Sequence, residues 1–434
     1  MNAVSVDARP THHLLSHRRV RHGRLRALSL TAVMAAAALM TSCGFVNTSS
    51  SDTETTSLSL AVNAEQHAAL AGLLPAFTEE SGIQVNETHA ATADLNERLR
   101  IQLSSKTAPD VFRVSPGSSS AVAANVLGKT GNLATLTGDW TSRLPAATAG
   151  LATVDNEVKA YPLSQNLLVM ADNKKVFDKL GLTVPTTWTE FLDVCEKLKA
   201  AEITPISAGF TGGIFLQFPV YQLAATLVYA DPEIDKKMQS GDVTFSNSPE
   251  WKSVFTKLQD LQKRGYLTSG ANGVSSDQAT DTVVSGKAGM ISTVSSLVPD
   301  GDIGVFALPA TDDPTQTRVP AAPDFIGINA DAKNPEASKK LIEFLAQPKN
   351  VKAYATAAKS LPALSGTDAT ISETLAPIAP YLEDGRTAPY ANYLWPNGDT
   401  QQRLLQSGQQ LIAGEISVDA LLQQLSAEYA KGGK

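Results

Sequence analysis

Apolar and polar positions alternate in two rhythms along most of the chain. Leu58–Val62 (LSLAV) is a short β-type run, and Gln66–Glu80 follows the helical period with apolar residues at 69, 70, 73, 74 and 77. Gly82-Ile83-Gln84-Val85 reads as the next strand, and Leu95–Leu103 returns to helical spacing at 95, 99 and 103. Pro109-Asp110-Val111-Phe112-Arg113-Val114 is strand-like after a proline turn, with Asp110 expected to order that turn. Strand–helix–strand–helix–strand order predicts an α/β architecture with a mostly parallel sheet. Such sheets bind ligands outside the carboxyl ends of their strands. Further on, Thr187-Trp188-Thr189-Glu190 has capping-box spacing and opens a helix with apolar positions 188, 191, 192, 195 and 198. Trp188 and Cys195 thus fall on a core-facing stripe. Asn334-Pro335-Glu336 reads as an N-cap followed by proline in the first turn, and a last helix is expected from about Ser417, with 418, 421, 422 and 425 apolar. Segment 240–300 alternates helix and strand signals, ending in Val283–Ile291, and no internal repeat is visible.

The first 42 residues follow another pattern. Arginines fill 9–26, and residues 27–42 (ALSLTAVMAAAALMTS) are almost all apolar or small. Sixteen residues are short for a membrane span but suit the core of a secretory signal. A short membrane anchor is the alternative. Met40-Thr41-Ser42-Cys43-Gly44 resembles a bacterial lipobox, with Met40 where Leu is usual. The resemblance implies that Cys43 is lipidated and becomes the mature N-terminus. Arg18-Arg19 leaves twin-arginine export open beside the general route. The polar tract Asn47–Ser57 has no periodicity and reads as a flexible tether.

Composition narrows the function. Of 434 residues 43% are apolar, enough for a sizeable core. The leader holds six arginines and one acid, leaving 30 basic and 42 acidic residues in the rest. An acidic body argues against nucleic acid as a partner, since phosphate binding needs a positive footprint. Four of the six histidines also lie in the leader; the body keeps His67 and His89, with Cys43 and Cys195 the only cysteines. No metal site, cofactor or catalytic nucleophile is expected from so sparse a set.

Several segments together resemble family 1 of the extracellular solute-binding proteins of ABC importers, the sugar-binding class that includes maltose-binding protein. They are Ala108-Pro109-Asp110-Val111-Phe112, Tyr161-Pro162-Leu163, Asn173–Phe177 with Leu180-Gly181-Leu182, Pro185–Glu190, Ser285–Met290, Ile303–Pro309, Lys333–Phe344 and Leu361-Pro362. Their order and spacing cover about 60–430. The resemblance implies a two-lobed periplasmic-binding-protein-like fold, each lobe a mostly parallel sheet flanked by helices, with the ligand cleft between lobes. The first lobe would hold 58–162 plus 310–347 and the second 163–309 plus 348–434, behind the signal peptide 1–42 and the tether 43–57. Ligand would close the lobes by a hinge motion. The expected protein is a monomeric, non-enzymatic receptor, exported and lipid-anchored to the outer face of the bacterial cytoplasmic membrane. It would bind a mono- or oligosaccharide and deliver it to the permease subunits of an ABC importer.

A sugar offers apolar C–H faces and many hydroxyls, so its site wants aromatic faces and polar side chains. Asn63 and Glu65 follow the first strand, either as ligand contacts or as part of a helix start. Arg113 and Ser115 follow the third, where relatives commonly place acids. Gln165 and Asn166 follow Tyr161-Pro162 where maltose-binding-like members place an acidic contact. Phe210 and Phe215 lie in a glycine-interrupted aromatic run (FTGGIFLQF), as cleft aromatics or as ordinary packing. Asp324 and Phe325 stand where relatives turn a loop into the cleft. Tyr390, Asn392, Tyr393 and Trp395 fall in a proline-bracketed, non-helical stretch that resembles the family's late aromatic segment. Ser295-Ser296 occupy the place where sugar-binding relatives often carry a Trp. Two rivals remain: an extracytoplasmic glycoside hydrolase, which needs two carboxylates facing across a cleft, and a receptor for a non-sugar solute such as a peptide or polyamine.

Overall fold

The computed structural model describes residues 56–367 and 373–432. These residues cluster as one compact unit. Cys43 and the whole leader lie outside the described residues.

Strands of four or more residues are β1 (Ser57–Asn63), β2 (Gln84–Ala90), β3 (Val111–Val114), β4 (Tyr161–Asn173), β5 (Thr204–Ser207), β6 (Ala288–Val294), β7 (Ile303–Phe306) and β8 (Val319–Ile328). They lie in the order β2-β1-β3-β8-β4-β6-β5, with β7 also paired to β4. β1 runs parallel to β2 and β3, whereas β8 is antiparallel to both β3 and β4. β4 is antiparallel to β6 and β7, and β5 is parallel to β6. The sheet is therefore mixed rather than mostly parallel, because the two long strands β4 and β8 run against their neighbours.

Each end of this sheet has its own core, built by the period of two along the strands. At the β1 end, Leu58, Leu60, Val62, Val111, Ile326 and Ile328 turn to one face, beneath Leu70, Phe77, Leu341 and Phe344. Phe112, Val114 and Phe325 turn to the other, against Leu95, Leu99 and Leu127. At the β6 end, Leu168, Met170 and Met290 face a helical layer holding Cys195, Tyr221, Trp251 and Leu425. Leu167, Val169 and Ala171 face the opposite layer with Val283, Ile291 and Val305. Residues after 347 do not stay in one core: Val351, Tyr354 and Leu364 pack with β1, while Trp395 and Leu404 pack with Cys195.

Local signals account for most boundaries. Asn63 closes a capping box with Gln66 and starts α1 (Ala64–Leu70). The single helix expected over 66–80 breaks at Gly72, and α2 (Leu73–Ser81) follows. α3 is Thr92–Ser104. Thr187 and Glu190 make the predicted capping box of helix Trp188–Ala200, in which Cys195 is fully buried and its thiol pKa is raised by that burial. Helix Ser276–Val284 ends at Gly286, whose φ of 73° lets the chain turn into β6.

The helix Pro335–Leu345 departs from expectation at its start. Asn334 is the N-cap residue, but its side chain does not cap the helix. The carboxylate of Asp110 holds the chain just before the helix: Oδ1 accepts from the Lys333 and Asn334 amides at 2.6 and 3.0 Å. Oδ2 accepts from the amide and hydroxyl of Ser59 at 2.8 and 2.7 Å. One buried carboxyl thus ties β1, the entry to β3 and a helix N-terminus together. Burial alone would raise its pKa; the hydrogen bonds from Ser59, Asn334 and Lys333 outweigh that and hold it below the usual carboxylate range.

Because the folded pKa is lowered, the stabilisation from this carboxylate is present above the unfolded pKa and is lost as pH falls from about 5 through the folded value. Asp110→Asn should lower stability by about 2–3 kcal/mol at neutral pH, read as a lower urea midpoint at unchanged slope. It should also remove this step from the acid-unfolding profile; a variant with the parent's midpoint would show that the three-way tie carries no weight.

Candidate functional site

The two long strands bring the site together. Their register slips between Asp324 and Phe325: Phe325 pairs with Pro162, Asp324 with Ser164, and Leu163 is left over. Such a bulge re-aims side chains. Phe325 is fully buried in the core, while the neighbouring Asp324 is only partly buried. Its carboxylate accepts from Gln66 Nε2 at 2.8 Å and from the Tyr354 hydroxyl at 3.0 Å. Gln66 is placed by the first turn of α1, whose capping box also occupies Asn63. Asn63 Nδ2 donates to Thr92 Oγ1 at 3.1 Å, so this side chain is engaged in structure.

Arg113, next to last in β3, brings its charge to the same carboxylate. Its Nη1 donates to Asn96 Oδ1 at 3.2 Å and Ser115 Oγ at 3.1 Å, and its Nε is buried without a partner. Burial pushes the Asp324 carboxyl pKa up, the Arg113 charge and the bonds from Tyr354 and Gln66 pull it back, and exposed Glu65 adds to the rise. Burial likewise raises Tyr354, with the Asp324 charge adding to it, and raises Tyr393, which the Arg113 charge opposes. Arg113, Asp324, Glu65, Tyr354 and Tyr393 therefore form one electrostatic group drawn from five chain segments.

The segment 390–395 reaches this group through Tyr393. Tyr390 and Tyr393 stack at 5.3 Å between centroids, and Tyr393 packs against the cores at both ends of the sheet. The backbone of 115–119 meets it directly: the Ser118 amide donates to the Tyr393 carbonyl at 2.6 Å. Gly117, at φ of 72°, permits the approach, because a Cβ there would stand 1.9 Å from that carbonyl oxygen. Among the described residues fifteen buried side-chain polar atoms have no partner, and four of them come from three of the candidate segments: Arg113 Nε, Asn166 Oδ1, Tyr390 Oη and Asn392 Oδ1. Buried groups of this kind are usually hydrogen-bonded, so each one needs an explanation. Asn166 stands opposite Ala322, two residues from Asp324. Two cavities of about 360 and 370 Å³ lie elsewhere, beside Ser295, Asp300 and Lys359 and beside Pro145, Leu364 and Glu383. Neither borders these four atoms.

Other candidates fall outside the group. Gln165 is buried and donates to Thr148 Oγ1 at 2.7 Å. Phe210 and Phe215 line a separate cavity of about 40 Å³ with Met170, Phe191 and Leu308. Gly212 and Gly213 both adopt positive φ, and the exposed residue after them is Ile214 rather than a phenylalanine. Ser295, at the place of the missing Trp, is buried and its hydroxyl accepts from the Leu167 amide at 3.0 Å. Trp395 corrects the expectation of a cleft-facing ring. It has no exposed surface and sits edge-on to Phe245, Tyr221 and Trp251. Gln66, Asn96 and Tyr354 were not anticipated. Gln66 carries only a capping signal and Tyr354 sits on the buried face of helix Pro348–Ala357, so no local pattern marks them.

A family model described as bacterial extracellular solute-binding protein matches residues 73–377, and the chain belongs to that family. As a member of an extracellular family it is exported, and among the described residues no helix is long and apolar enough to cross a membrane. The chain is 25% identical over 386 residues to the melibiose/raffinose/stachyose-binding protein MelE of Bacillus subtilis, covering 83% of this chain and 85% of the relative. It is 24% identical over 302 residues to the multiple sugar-binding protein of Streptococcus mutans, covering 67% and 70%. Among solved structures, a family 1 extracellular solute-binding protein from Bifidobacterium longum subsp. infantis aligns with a TM-score of 0.74 at 21% identity, over 87% of this chain and 99% of that one. The apo form of RafE from Streptococcus pneumoniae gives 0.74 at 19%, over 88% and 99%. The fold is the two-lobed solute-binding fold.

Trp395→Ala empties a fully buried aromatic site and should cost about 3–5 kcal/mol of stability. Urea unfolding reads this directly; a loss under about 1 kcal/mol would place the ring outside the core.

Proposed function

We propose that the chain is the carbohydrate receptor of an ABC importer. It would hold a mono- or oligosaccharide between two hinged lobes and hand it to the membrane permease. The observation that carries this reading is the set of unpartnered buried polar atoms of Arg113, Asn166, Tyr390 and Asn392, together with the stacked Tyr390–Tyr393 pair. Hydroxyls can satisfy donors and acceptors alike, and a pyranose C–H face suits an aromatic platform. The names of MelE and the multiple sugar-binding protein point the same way.

In this reading Glu65, Arg113, Ser115, Asn166, Asp324, Tyr390, Asn392 and Tyr393 present the ligand surface, while Gln66 and Tyr354 hold the Asp324 carboxylate in place. The first lobe comprises 58–162 plus 310–347 and the second 163–309 plus 348–434, with Val351, Tyr354 and Leu364 packing back into the first. Ligand favours the closed arrangement because only there do both lobes contact it. The receptor works as a monomer, transfers no atoms and is anchored through a lipidated Cys43.

The test is a thermal-shift screen over melibiose, raffinose, stachyose, galactose, xylo- and chito-oligosaccharides, followed by calorimetry on any that stabilise the fold. A true ligand at 100 times its Kd adds about 2.7 kcal/mol. Arg113→Met should then weaken binding by roughly 10- to 150-fold, since a bond to a charged donor is worth about 1.5–3 kcal/mol. Stabilisation by a peptide or polyamine, with none by any sugar, would overturn the carbohydrate reading; release of chromophore from aryl glycosides would favour the hydrolase.

Lipid anchoring has its own check. Cys43→Ala should move the protein from the membrane to the soluble fraction of exporting cells at unchanged ligand affinity. Persistent attachment would mean that the apolar leader is retained as an anchor.

A further inference from the structure

The body has two histidines, and the fold brings them together. His67 lies on α1, while Glu87 and His89 lie two residues apart on β2 and so share one face. That face also carries Val85, which packs toward the core beneath α1 and α2. The imidazoles of His67 and His89 stack with centroids 3.8 Å apart and planes 15° from parallel. His67 Nδ1 is 2.8 Å from Glu87 Oε1. One ligand atom from each of His67, Glu87 and His89 lies within 4.8 Å of the other two.

We propose that His67, Glu87 and His89 form a surface site for a borderline transition-metal dication, with zinc as its simplest occupant. Two imidazoles and one carboxylate are a donor set that zinc takes with a fourth position left to water. Donor atoms around a tetrahedral zinc stand about 3.3 Å apart, given bonds of about 2.0–2.1 Å. At 2.8 Å the His67–Glu87 pair must open slightly to reach that spacing, and the stacked rings must tilt apart, because a ring-nitrogen lone pair lies in its ring plane; the exposed His89 side chain leaves room for that movement. Glu87 supports the geometry, because its side chain is only 16% exposed while that of His67 is 40% exposed. The carboxylate is therefore held at the base of the cluster and the rings are free to adjust above it. Hard cations such as magnesium prefer oxygen donors and are a poor match. A bound ion would pin α1 to the edge strand β2, and α1 is the helix whose Gln66 holds Asp324. The site stands apart from the sugar reading and does not depend on it.

Equilibrium dialysis of the tag-free chain against zinc at neutral pH tests the proposal, with a His67→Ala/His89→Ala double variant as the reference for every other histidine and thiol in the chain. The parent should bind one zinc more than the double variant, with a dissociation constant in the micromolar range or tighter. His89→Ala and His67→Ala should each weaken that zinc at least tenfold, Glu87→Gln should weaken it less, and magnesium should not compete. Circular dichroism checks that the variants keep the fold, which the exposure of both histidines favours. No additional zinc at about 100 μM, or equal binding by parent and single variants, would overturn the site. Carbohydrate affinity measured on the same double variant separates this outcome from failure of the receptor reading.

Discussion

The antiparallel pairing of β4 with β8 is the constraint on which the rest of the structure depends. These are the strands that run through both cores: Tyr161 and Leu163 pack with β1, and Leu168 and Met170 pack with Cys195, all from one continuous strand. Every main-chain donor in that stretch needs a partner, because the strand is buried along almost its whole length. The ladder supplies those partners, and in doing so fixes where one end of the sheet stops and the other begins. The bulge at Leu163 falls at this junction. It turns Asp324 out of the core while Phe325 stays in, so the polar group is a consequence of how the ends are joined.

The polar group has the character of a surface desolvated before anything binds. Arg113 spends its Nη1 on Asn96 and Ser115 and leaves its Nε idle. Asp324 is held by two neutral donors, Gln66 and Tyr354, which fix its orientation without neutralising it. Ordering such groups costs entropy and hydration once, at folding, so a partner arriving later meets donors and acceptors already aimed. The same logic explains why Tyr390 and Tyr393 are packed together rather than left loose: a stacked pair presents a rigid face.

Much of this was legible in the sequence where the signal is local. The alternation over 58–114, the capping box at Thr187 and the buried Cys195 all depend on residues near in sequence or on strong periodicity. Asp110 was expected to order its own turn, but its carboxylate accepts from Ser59, Lys333 and Asn334, all far away in sequence. Asp324, Arg113 and Tyr393 were found because the resemblance pointed to their segments. Trp395 was misplaced because a proline-bracketed aromatic run looks like an exposed loop; the rings that bury it, Phe245 and Trp251, come from a helix region about 150 residues earlier. Tyr354 was invisible because its backbone position belongs to a buried helical stripe and only its hydroxyl reaches Asp324. The meeting of His67 with His89 requires a helix to lie across an edge strand, which composition alone cannot express.

The contact between Ser118 and Tyr393 is made by main chain on both sides, with Gly117 supplying the clearance. A joint of that kind is indifferent to most side-chain identities. If residues 113, 115, 166, 390 and 392 present the proposed ligand surface, they can be exchanged to suit a different solute while the seam that aligns them keeps its shape. The fold thereby separates what is recognised from how the recognising surfaces are aligned, and Gly117 is the position at which that separation ends. Any larger residue there would act as a wedge, whatever the cargo.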